Sequence, residues 1–139
     1  MKLGLTDPPM TATVSVEIAP GELIDKITIL EIKLERIEDR AKLTNVRIEW
    51  QTLCEARDGA MAASAELDAL SAALKRVNEK LWVIEDDIRD CERDKDFGPK
   101  FIELARAVYI TNDERARLKR QINDLLGSRL VEEKSYAAY

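Results

Sequence analysis

Apolar residues recur at Leu67, Leu70, Leu74, Val77, Leu81, Ile84, Ile88 and Cys91, in unbroken steps of three and four. That spacing puts all of them on one stripe of a helix, the seam of a coiled coil. Lys75, Arg76, Asn78, Glu79, Lys80, Glu85, Asp86, Asp87 and Arg89 fill the positions between and are solvated types. Such a helix folds only when something covers its stripe, so the rest of the chain must supply the cover.

Upstream, Val14, Val16 and Ile18 alternate with Thr13, Ser15 and Glu17, which predicts a short extended N-terminal segment. Pro20-Gly21 opens a helix, with Glu22 and Asp25 placed favourably at the positive end of its dipole. Leu23, Ile27, Leu30, Leu34, Ile37 and Ala41 step by four and three. Ile24 on one flank and Ile29 on the other predict contact with two neighbours, and Ile32 broadens the stripe further. Leu43, Val46, Trp50 and Leu53 continue the pattern after a shift of phase, and Asp58-Gly59 is the first turn signal. The first helix is therefore predicted over about 20–56 and the second over about 60–93. Asp96-Phe97-Gly98-Pro99 separates the second from a third over about 99–126, carrying Phe101, Leu104, Val108, Leu118, Ile122 and Leu125 and closed by Gly127.

The fold class that follows is all-α: a three-helix antiparallel bundle with a long coiled-coil hairpin. Residues 1–12 are expected to be a flexible tail, 13–139 a single domain, and 129–139 a C-terminal tail that docks or stays loose.

Composition narrows the function. With 35% charged residues, 5 Gly and 4 Pro, the chain suits long amphipathic helices. A net charge of −5 gives no electrostatic reason to bind nucleic acid or an anionic membrane. His is absent, which removes the usual general base near neutral pH, and two Cys without His cannot close a zinc site. No cofactor and no metal are expected. Without a signal-peptide pattern or a membrane-length apolar run, the expected location is the cytoplasm.

Folding the three helices on paper places residues level with one another. Around residues 58–59, residue i of the first helix meets about 117 − i of the second; around 97–98, residue j of the second meets about 195 − j of the third. Cys54 and Cys91 are then roughly 42 Å apart, too far for a disulfide. The tip of the first hairpin projects past the third helix and carries Trp50, Leu53, Cys54 and Met61, an expected interface for a homo-oligomer or a protein partner.

The third helix interrupts its own stripe with Thr111 and Arg115, beside Asn112 and Asp113. The same arithmetic gathers Glu31, Glu35, Arg36, Glu79, Trp82, Asn112, Asp113 and Arg115 into one polar layer. Such a layer is either a site for a small anionic ligand or a buried Arg–Glu pair that fixes helix register. The carboxylates Glu85, Asp86, Asp87, Asp90, Glu92, Asp94 and Asp96 point in different directions around a helix and are expected to be a solvated face. Glu35-x-x-Glu38 and Glu55-x-x-Asp58 are spaced like the acidic pairs of all-helical nucleotide pyrophosphohydrolases. On one helix they lie roughly 30 Å apart and cannot share a magnesium. There is no Gly-rich phosphate loop and no nucleophile elbow.

The run from Pro20 to Lys33, PGELIDKITILEIK, resembles the opening signature of a small bacterial family of unknown function. Leu81-Trp82 with Ile84 to Arg89, Asn112-Asp113 with Arg115-Ala116, Lys119-Arg120 and Ile122-Asn123, and Glu132 to Tyr136 are similar too. The resemblance implies a stand-alone or appended helical domain and transfers no activity. The expected function is a non-enzymatic, self-associating interaction or accessory domain. The alternative is a small-molecule-binding or catalytic bundle acting on an anionic sugar or nucleotide at the Glu35/Trp82/Arg115 layer.

Overall fold

The computed structural model describes residues 12–139. Four helices follow one another: α1 (Pro20–Arg36), α2 (Arg40–Ala60), α3 (Ala65–Arg93) and α4 (Pro99–Leu126). Among the described residues there is no strand: residues 12–19 form no regular element, and Val14 and Val16 stay exposed. The expected flexible tail lies outside the described residues except for Ala12.

The α3 stripe is where its spacing put it. Leu67, Leu74, Val77, Ile84 and Cys91 are buried, and Leu70, Leu81 and Ile88 are half-buried. On α4 the stripe runs from Phe101 to Ile122, but Leu125 is exposed and Leu126 packs on the core instead. A straight helix drifts about 20° per heptad against a strict seven-residue repeat. Over the length of α4 that drift hands the stripe to the next residue. Gly127, with φ 66°, closes the helix in the left-handed conformation, and Ser128 N–H donates to the Asn123 carbonyl.

The first expected helix is two helices, so the bundle has four rather than three. The chain turns at Ile37–Asp39, where Ile37 takes φ −79°, ψ 136° and Asp39 takes φ −64°, ψ 120°. Any residue adopts these angles, which is why neither Gly nor Pro marks the turn. Asp39 accepts the Lys42 N–H at 3.0 Å and caps α2. The shift of phase at Leu43 is the trace of this reversal: α2 folds back and lays Val46 and Trp50 on α1. A continuous helix would have left the apolar side of residues 43–54 uncovered. The second turn lies at Met61–Ser64, not at Asp58-Gly59, and Ser64 caps α3 by accepting the Leu67 N–H at 3.0 Å.

α1 is the central element. It touches α2, α3 and α4, whereas α2 touches α1 alone. Leu23, Ile24, Ile27, Leu30 and Ile32 are buried, spread around most of the helix circumference rather than on one stripe. Ile24 joins Leu67, Leu74 and Ile122 in the core, with Met61, Leu70, Leu118 and Leu126 packed around them. α1 runs antiparallel to α4, since Gly21 meets Asn123 and Asp25 meets Arg115. At about 1.5 Å per residue, α3 and α4 reach roughly 42 Å and α1 only about 26 Å. The α3/α4 hairpin therefore extends past the end of α1, and the α1/α2 pair does not project as expected.

α1 and α4 approach closely at Gly21, whose N–H donates to Asn123 Oδ1 at 2.7 Å. A Cβ there would be driven into the Lys119 carbonyl oxygen and lie 3.0 Å from Asn123 Oδ1. Gly59 is the opposite case, inside α2 with nothing within 4 Å of an added Cβ. Gly21→Ala should therefore destabilise the fold by about 2 kcal/mol through overpacking. Gly59→Ala should stabilise it by about 0.5 kcal/mol through helix propensity. Urea unfolding of both variants beside wild type reads the two signs.

Candidate functional site

Asp25 sits in the first half of α1 on the same face as Ile29 and Ile32, and only 1% of it is exposed. A carboxylate so buried must be paired. Arg115 from α4 meets it side-on: Nε donates to Oδ1 at 2.9 Å and Nη2 to Oδ2 at 2.5 Å. Asn78 from α3 donates Nδ2 to the same Oδ1 at 2.9 Å and to Thr28 Oγ1 at 3.0 Å. Thr28 in turn donates its hydroxyl to the Asp25 carbonyl at 2.8 Å. Three helices are thus tied at one carboxylate. The Asp25 hydrogen bonds hold the Arg115 pKa above its ordinary value, against the opposing effect of burial. One turn before Arg115, Thr111 is buried and its hydroxyl has no partner among the described residues.

Beside this knot the three helices diverge into a cleft of about 550 Å³. Ile29 and Ile32 of α1 and Leu81 of α3 form apolar walls. Trp82, Asn78, Asn112 and Arg115 present polar groups, and Glu85, Asp86 and Arg89 stand along α3. Arg89 Nε pairs with Glu85 at 3.3 Å. α1 reaches the cleft with Ile29 and Ile32, while its last turn leans toward Lys75, which pairs with Glu35 at 2.6 Å.

Of the expected layer, the structure brings together Trp82, Asn112 and Arg115. Glu31, Glu35 and Arg36 lie elsewhere because α1 and α2 are separate helices, which cancels the register assumed for them, and Glu79 and Asp113 of α3 and α4 do not line the cleft. Glu31 accepts the Trp50 Nε1–H at 3.3 Å across the α1/α2 pair. Glu35 pairs with Lys75 at 2.6 Å. Arg36 is the exposed last residue of α1, and Glu79 is half-buried outside the cleft. Asp113 anchors the C-terminal tail, accepting the Tyr139 hydroxyl at 2.5 Å and facing Lys134 at 3.6 Å. The partner of Arg115 is Asp25, a residue that the sequence suggested only as a favourable charge near the helix start. The signal that marks it is its place on the apolar face of α1 with Ile29 and Ile32.

Trp50, Leu53, Cys54 and Met61 are half-buried, Trp50 on α1 and Met61 on the core, so no projecting tip presents them. Both cysteines are free, and burial leads the factors that raise the Cys54 thiol pKa. Among the described residues no group of three or more His, Cys, Asp or Glu is placed to hold a metal ion. The α3 carboxylates are engaged locally instead: Asp90 with Arg93 at 2.9 Å and Glu92 with Lys95 at 3.5 Å. Nor is any helix of the described residues long and apolar enough to cross a membrane.

The C-terminal tail docks. Lys119, on α4, lies between Glu22 of α1 at 2.8 Å and Glu132 of the tail at 2.9 Å. Burial works against the charge of Lys119, but the hydrogen bonds to these two carboxylates outweigh it and hold its pKa above 10.5. Arg129 pairs with Glu17, and Tyr139 stacks edge-on against Tyr109, ring centres 5.1 Å apart.

A family model described as a family of unknown function (DUF6165) matches residues 14–139. The chain belongs to that family. Its match begins at Val14, so the segment before α1 and the docked tail are both part of the family's domain. No curated protein and no solved structure matches the chain.

Removing the Asp25 carboxylate should leave Arg115 and Asn78 without their shared partner. Asp25→Ala is expected to cost about 3 kcal/mol. The double variant Asp25→Leu/Arg115→Met should recover most of that loss, because apolar replacements remove both desolvated charges. Urea midpoints of the single and double variants measure both effects.

Proposed function

We propose that this domain is a non-catalytic binding module that holds a small molecule in the cleft between α1, α3 and α4. The observation that carries the reading is the cleft itself, with an indole, two side-chain amides and apolar walls converging on about 550 Å³. That is the size and lining of ligand sites in helical bundles. A catalytic reading is weaker, because the charged groups expected to work together are committed elsewhere. Arg115 is bound to Asp25, Glu35 to Lys75 and Glu31 to Trp50. Arg115 is therefore a positioning residue that fixes the cleft's third wall.

The two tryptophans make the test internally controlled. Trp82 lines the cleft, while Trp50 is held on the far pairing of α1 with α2. A chemically mixed fragment library, screened by NMR on the nitrogen-labelled protein, should shift the Trp82 indole N–H and the Asn112 side-chain amide. The Trp50 indole N–H should stay in place. A screen in which no fragment moves Trp82, or in which both indoles move together, would overturn the reading.

Self-association is a second reading, favoured by one observation: α2 packs on α1 alone and leaves Ile48 60% exposed on its outer side. Light scattering should then show a dimer that Ile48→Glu reduces to monomer. A monomeric wild-type protein would end this second reading without touching the first.

A further inference from the structure

The polar groups lining the cleft specify what it takes. Asn78 is 5% exposed, and its amide orientation is dictated by chemistry. Asp25 Oδ1 only accepts, so Asn78 must turn its Nδ2 toward it. Thr28 has already given its hydroxyl hydrogen to the Asp25 carbonyl, so it too accepts from Nδ2. Both Nδ2 hydrogens are consumed, and Oδ1 is left as the acceptor that this buried side chain presents to the cleft it lines. In the open cleft such an acceptor is met by water until a ligand donor replaces it.

The other polar groups lining the cleft are of both kinds: the Trp82 indole N–H, the Asn112 amide, and Arg115 Nη1, which lies outside the pair with Asp25. The charges nearly cancel: Asp25 neutralises Arg115, Glu85 pairs with Arg89, and Asp86 is in excess. A phosphate or carboxylate would meet that excess, with both guanidiniums of the cleft already paired to carboxylates. The occupant therefore carries no negative charge in the cleft, has a π surface or flat body for the indole, and offers an N–H donor for Asn78 Oδ1.

Resting on the reading of the cleft as a ligand site, we infer that it takes an uncharged, amino-bearing nucleobase, free or as its nucleoside. The exocyclic amine donates to Asn78 Oδ1. The Asn112 amide offers a donor and an acceptor side by side, the combination that matches an adenine edge. Base on indole is a favourable contact in its own right.

The test titrates adenosine, inosine, AMP and methyl α-glucopyranoside separately into the nitrogen-labelled wild-type protein, following the Trp82 and Trp50 indole N–H signals. Adenosine should shift Trp82 saturably and leave Trp50 unmoved. Inosine, which lacks the exocyclic amine, should bind about tenfold more weakly, as should adenosine to Asn112→Ala. AMP should bind no more tightly than adenosine. Inosine binding as tightly as adenosine, AMP binding more tightly, or saturation by the pyranoside alone would each overturn the inference. If adenosine is silent while library fragments still move Trp82, the nucleobase assignment falls and the ligand site stands. Silence from both removes both.

Discussion

A carboxylate with 1% of its surface exposed cannot stay charged inside a helical bundle unless the bundle is built around it. Asp25 meets that demand by drawing Arg115 from α4 and Asn78 from α3 onto α1. The pairing does more than neutralise. A bidentate guanidinium and an amide that must donate in a fixed direction leave little freedom in how the three helices are rotated against one another. Apolar packing of Ile24, Leu74 and Ile122 supplies the driving force nearby, but it tolerates small slips that the carboxylate does not.

Much of the remaining architecture follows from making α1 the shared element. It is the shortest of the four helices and is covered from three sides, so its neighbours must outreach it. α3 and α4 go on as a two-helix hairpin, and the cleft lies between that hairpin and Ile29 and Ile32 of α1. Gly21 lets α4 approach the start of α1, and Lys119 then draws Glu22 and Glu132 together, which fastens the C-terminal tail over the same end. One end of the bundle is closed by buried charge and backbone contact. The other is open, with its polar groups facing solvent.

The same positions explain what could and could not be read from the chain. The α3 stripe from Leu67 to Cys91 and the α3/α4 turn at Gly98-Pro99 were legible, because periodicity and turn chemistry are local. Thr111 and Arg115 were recognisable as polar interruptions facing the interior. The partner of Arg115 was not, because register across α1 depends on where its hairpin turns. The turn at Ile37–Asp39 uses ordinary backbone angles and leaves only a slip of phase at Leu43. Bridging that slip displaced Glu31 and Glu35 into a layer they do not occupy, and it made a projecting tip of Trp50 and Met61.

What the sequence by itself determined is therefore the set of helices with strong local signals, their solvated faces, the unpaired cysteines and the presence of a polar interruption in the core. Only the tertiary structure decided that α1 is central, that Asp25 is the group the interruption answers, and that Asn78 gives its Nδ2 hydrogens to Asp25 and Thr28. The physical reason is one of range. Helix stripes, caps and Gly–Pro turns are set by residues within a few positions of each other. A buried charge is satisfied by whichever donors the packing delivers, here from residues 53 and 90 positions away.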